Sequence, residues 1–98
     1  MTRLELAQQL LARTIASKYA LCELDVYILM EAYAAPISVT FIMKRTRSSR
    51  TTVRRHLRHL MKTFEALSME TTFKNQRGRR TTYTITDGGI GLVNQLLK

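Results

Sequence analysis

Residues 45–60, RTRSSRTTVRRHLRHL, carry six arginines and no acid. Ser49 stands where an N-cap belongs, so the spacing predicts a helix from Arg50. At roughly 100° per residue, Val53, Leu57, Leu60, Met61 and Phe64 fall within about a third of the circle. Thr51, Arg54, Arg55, Arg58 and Lys62 lie opposite, and His56 and His59 sit near the borders. The helix is therefore amphipathic. Its exposed face is cationic, whereas a solvated face normally interleaves both signs.

This segment holds most of the chain's charge. The 98 residues have a formal net charge of +9. Residues 44–62 hold eight of the 16 Lys and Arg with no acid: Lys44, Arg45, Arg47, Arg50, Arg54, Arg55, Arg58 and Lys62. Like charges packed this densely cost stability unless a polyanion offsets them. Nucleic acid is the first partner this implies, and an anionic membrane surface the second. The membrane is the weaker fit, because the helix needs its apolar face for a core. Apolar residues make up 45% of the chain, too many for a disordered basic tail. The length suits one domain over residues 1–98.

Upstream, Thr2 and Glu5 have capping-box spacing at the head of a predicted helix over 1–20. Leu4, Leu11 and Ile15 share one stripe while Leu6 and Leu10 lie off it, the pattern of a helix with more than one partner and a candidate for self-association. Residues 23–35, ELDVYILMEAYAA, are apolar nearly all round and predict a central helix, with Glu23 and Asp25 favourably placed in its first turn. Pro36 ends it. Ser38 caps a third helix from Val39 to about Arg45.

Downstream, the period changes from helical to alternating. Leu67, Met69, Thr71 and Phe73 share one face of LSMETTF, and Thr81, Tyr83 and Ile85 one face of RTTYTIT. Between them KNQRGRR supplies turn formers, which makes a β-hairpin with a basic tip. Thr86 caps a last helix over 87–98 with Leu92, Val93, Leu96 and Leu97 as its apolar stripe. Gly88, Gly89 and Gly91 each weaken its start by up to about 1 kcal/mol relative to Ala.

The order is mainly α (α+β): a helix-turn-helix over 38–62, a two-stranded wing over 67–86, and flanking N- and C-terminal helices. SRTTVRRHLRHL, RGRRTTYTIT and Thr86-x-x-Gly89-x-x-Leu92, in that order and spacing, resemble a MarR-type winged helix-turn-helix DNA-binding domain, as a short member. LCELDVYILMEAYA is similar to the helix before the motif, so the resemblance spans about residues 21–97. It departs at Thr46-Arg47-Ser48, where a Gly flanked by apolar residues is usual, and at Cys22, where a Ser or Thr cap is usual.

A helix-turn-helix places its second helix in the major groove. Arg50, Thr51, Thr52, Arg54 and Arg55 are then the candidates for base edges, and Arg47, Arg58 and Lys62 for phosphate, with Ser49 able to do either. At the wing, Arg77, Arg79 and Arg80 are candidates for the backbone or minor groove. The expected function is a sequence-specific regulator of transcription that binds double-stranded DNA, as a cytoplasmic homodimer. A non-specific architectural or replication accessory protein and a winged-helix protein-interaction module are the alternatives. No nucleophile–base pair, carboxylate dyad or phosphate-cradling Gly loop stands out, so no enzyme and no cofactor is expected. His56 and His59 have no Cys or carboxylate near them in sequence, so no metal site is expected. His56 is expected at the core edge and His59 toward solvent or phosphate. Cys22, the only cysteine, reads as a small buried residue in a reducing compartment. The N-terminus lacks a secretory pattern.

Overall fold

The structure is a computed structural model that describes residues 2, 3, 5, 7, 21–73 and 79–97. Arg3, Glu5 and Ala7 are helical. The Glu5 N–H donates to Thr2 Oγ1 at 3.1 Å, the N-cap half of the expected capping box, and the Glu5 carboxylate takes the Thr2 hydroxyl at 3.2 Å rather than the Thr2 N–H. The rest of the expected helix over 1–20, including its Leu4, Leu6, Leu10, Leu11 and Ile15 faces, lies outside the described residues, as do the hairpin tip with Arg77 and the C-terminal Lys98.

Four helices and one hairpin follow: α1 (Glu23–Ala34), α2 (Val39–Thr46), α3 (Arg50–Lys62), β1 (Leu67–Phe73), β2 (Arg79–Ile85) and α4 (Asp87–Leu97). This is the α+β winged helix-turn-helix arrangement that the periodicities predict. α1 is the hub: it packs on α3, α4 and β2. Its Val26, Ile28 and Leu29 are fully buried, beside Ile42 of α2, Val53, Leu57 and Leu60 of α3, and Val93 and Leu96 of α4. Burying each such side chain stabilises the fold by about 1.5–3 kcal/mol. Three of them on α3 outweigh the repulsion among its solvent-screened arginines, where a surface pair is worth about 1 kcal/mol or less. Leu97 is a correction: it is 45% exposed, one position beyond the buried stripe of α4.

The caps fall where the sequence puts them. Ser38 Oγ accepts from the Phe41 N–H and Ser49 Oγ from the Thr52 N–H, each at 3.2 Å. The hairpin is antiparallel, with Leu67 opposite Ile85, Met69 opposite Tyr83 and Thr71 opposite Thr81. Ile37 adds a one-residue third strand: its N–H and C=O exchange bonds with Tyr83 at 2.9 and 2.8 Å, which ties the root of the wing to the loop before α2.

Thr86 locks the base of the wing to the end of α3 and the start of α4. Its hydroxyl donates to the Glu65 carbonyl at 2.5 Å and accepts from the Gly89 N–H at 3.1 Å, the N-cap of α4. A Cβ on Gly89 would stand 2.2 Å from the Ala66 carbonyl oxygen, so only glycine lets α4 start against this junction.

Candidate nucleic-acid interface

The helix-turn-helix turn contains no glycine, and Arg47 does the work of one. It closes α2 in the left-handed region, at φ 57° and ψ 27°, with its N–H bonded to the Met43 carbonyl at 2.8 Å. The neighbours stabilise the turn. The Thr46 hydroxyl donates to the Ile42 carbonyl at 2.8 Å and lies 2.9 Å from the Ser48 hydroxyl. Arg47 is exposed beside Arg45, and the Arg45 guanidinium stacks over Phe41, 5.1 Å from the ring centroid.

With the turn so aimed, α3 presents Arg50, Thr51, Arg54, Arg55, Arg58 and Lys62 to solvent. Among the described residues, none of these cations, nor Arg47, is in an ion pair; the ion pairs are Arg3–Glu31 at 3.0 Å and Asp25–His56 at 2.7 Å. Arg50, Arg54 and Arg58, one stripe along α3, line a groove of about 660 Å³ between this helix and the hairpin. Thr71, Thr81, Met69 and Tyr83 form its other wall, and the start of α2 at Ser38–Thr40 also lines it. Met69 belongs to the inward face of β1, yet it is 56% exposed because it lines this open groove.

Two candidates sit differently from the rest. Ser49 is exposed but its hydroxyl is engaged, donating to Thr52 Oγ1 at 2.9 Å while accepting from the Thr52 N–H. Thr52 is half-buried and off the cationic arc. Arg79 and Arg80 occupy the first positions of β2, paired with Phe73 and Thr72. Arg77 lies outside the described residues.

His56 sits at the core edge as expected, whereas His59 is half-buried rather than turned to solvent. His59 packs edge-on against Phe64, ring centroids 5.3 Å apart, and lies 3.2 Å from the Thr63 hydroxyl. His56 turns to the start of α1, where its Nδ1 meets Asp25 Oδ1. Asp25 is buried, and its Oδ2 accepts the Cys22 N–H at 3.1 Å. Cys22 corrects the expectation of a buried residue: it is exposed, because it caps α1 rather than facing the core. Its sulfur lies 3.6 Å from His56 Nδ1. Partial burial and the Asp25 carboxylate push the thiol pKa up, partly offset by the Asp25 and Leu24 N–H groups. A raised thiol pKa is the opposite of what a redox-reactive cysteine needs. A search confined to sequence neighbours misses this cluster, because 31 residues separate Asp25 from His56.

At the other end of α1, buried Glu31 accepts from the Tyr27 hydroxyl at 3.3 Å and pairs with Arg3. Burial and the Glu31 charge raise the Tyr27 pKa. Among the described residues, no helix is long and apolar enough to cross a membrane. No protein-family model matches the chain, and no curated protein matches it significantly.

Proposed function

We propose that the protein is a sequence-specific regulator of transcription, of MarR type, that binds double-stranded DNA with α3 in the major groove. The observation that carries this reading is the exposed cationic face of α3, in no ion pair among the described residues, on the second helix of the helix-turn-helix. Arg54 and Arg55 lie near the N-terminal half of α3, the part that reaches base edges in this motif. Each can bond guanine bidentately, worth about 1–3 kcal/mol of discrimination. Arg47, Arg58 and Lys62 take phosphate. The groove between α3 and the wing is cationic along its α3 wall, and at its Arg58 end it suits the sugar–phosphate backbone. The positive end of the α2 dipole beside Ser38 adds to this attraction.

Such a regulator works in the cytoplasm, without enzymatic activity, as a homodimer whose two recognition helices sit about one DNA turn apart on a palindromic site. Selection from random duplex DNA, with the mass of the complex measured on the winning site, tests the whole reading. An enriched palindrome bound by two chains supports it. Binding with no enriched motif replaces it with a non-specific architectural protein, and no duplex binding at low salt replaces it with a protein-interaction module.

A further inference from the structure

Three potential metal ligands converge where α1 begins. Cys22 Sγ, one Asp25 carboxylate oxygen and a His56 ring nitrogen all lie within 4.8 Å of one another. Two of them come from the first turn of α1 and its cap, and the third from the middle of α3. His56 Nδ1 faces both the carboxylate, at 2.7 Å, and the sulfur, at 3.6 Å. One N–H can serve only one of these acceptors well, whereas a cation in its place serves both.

The spacing fits a tetrahedral ion. With Zn–S of about 2.3 Å and Zn–N of about 2.05 Å at a tetrahedral angle, sulfur and nitrogen stand about 3.6 Å apart. That is the Cys22–His56 separation. The Asp25–His56 separation is a hydrogen-bond distance and must open to about 3.3 Å, a small change at a helix end. Asp25 is held for the role by an outer contact: its Oδ2 takes the Cys22 N–H and leaves Oδ1 toward the site. Cys22 is exposed, so an ion reaches the site from solvent. A mixed thiolate, imidazole and carboxylate set favours zinc over magnesium or calcium, which prefer all-oxygen shells.

We propose that Cys22, Asp25 and His56 form a binding site for one zinc-class divalent cation, with the fourth position open to water or an exogenous ligand. On binding, the thiol proton leaves to solvent, and the imidazole coordinates through Nδ1 with its proton on Nε2. The ion then ties the start of α1 to α3. The site is independent of whether the protein binds DNA.

The test is titration of the reduced full chain with Co²⁺ alone, followed by back-titration with Zn²⁺. The expected result is one Co²⁺ per chain, with tetrahedral visible bands and a thiolate-to-cobalt charge-transfer band, all removed by one equivalent of Zn²⁺. Cys22→Ser should abolish the charge-transfer band and weaken binding at least 100-fold, beyond the about 10–100-fold cost of losing an outer-shell partner. Because Cys22 is exposed, this variant keeps its fold, which circular dichroism checks. Asp25 is buried, so Asp25→Asn is read only if its spectrum is native. Absence of the charge-transfer band in the wild type, or equal binding by Cys22→Ser, overturns the proposal.

Discussion

His56 Nδ1 lies 2.7 Å from Asp25 Oδ1, and this contact joins the first turn of α1 to the middle of α3. Asp25 is 2% exposed, and the Cys22 N–H is its other side-chain partner among the described residues. Replacing His56 by Ala therefore leaves a buried carboxylate half satisfied. A fully buried pair costs about 3–5 kcal/mol to break. The His56 side chain is 20% exposed, so water partly replaces it and about 2 kcal/mol is expected. Urea denaturation in the presence of a chelator measures the loss without any metal contribution. A change under about 0.5 kcal/mol would show the contact to be idle.

Arg47 trades stability for position. A non-glycine residue in the left-handed region costs about 1–2 kcal/mol; glycine removes that strain, but its more flexible unfolded state offsets part of the gain. Arg47→Gly is expected to stabilise the fold by up to about 1 kcal/mol while weakening duplex binding. Thermal unfolding and a binding titration read the two effects separately. A loss of stability would mean that the Arg47 side chain holds the turn.

Gly89 and Gly91 should respond in opposite directions to Ala. On Gly89 a Cβ meets the Ala66 carbonyl at 2.2 Å and Ile85 Cγ1 at 2.6 Å. Overpacking of this kind costs about 1–3 kcal/mol, and here the obstacle is backbone. On Gly91 nothing lies within 4 Å, so Gly91→Ala should gain up to about 1 kcal/mol of helix propensity. Denaturant midpoints of the two variants decide the matter, and equal shifts would contradict the packing at the α3–β1 junction.

The helices and the wing were legible because their signals are local. Ser38 and Ser49 cap within three residues, and Val53, Leu57 and Leu60 repeat at helical spacing. The faces of the two hairpin strands follow from alternation around Leu67 and Tyr83, and the pairing register itself comes from the folded hairpin. What sequence alone misses is non-local or conformational. Ile37 pairs with Tyr83 through backbone groups that every residue carries, so no side chain announces it. Arg47 adopts a glycine-like φ because its neighbours hold it there. Cys22 and Asp25 meet His56 only when α1 crosses α3. The cationic face of α3 was legible in full, but its division into a groove-lining stripe of Arg50, Arg54 and Arg58 needed the position of the hairpin.

Salt separates the roles of the arginines. Each phosphate contact contributes about 0.9 to the slope of log affinity against log salt. Arg58→Ala should lower that slope by about one and weaken all duplexes alike. Arg54→Ala should instead relax preference at one base position of the selected site. Identical profiles for the two variants would contradict the division into base and phosphate readers.

The decisive measurement is the affinity of the doubly substituted Arg54→Ala/Arg55→Ala protein for its selected duplex, compared with the wild type at the same salt. Both side chains are exposed, so the fold should be retained, which circular dichroism verifies. Recognition by α3 requires a loss of at least about 10-fold, since each bidentate contact is worth about 1–3 kcal/mol. Unchanged affinity in a folded variant would contradict the assignment of α3 as the DNA-reading helix.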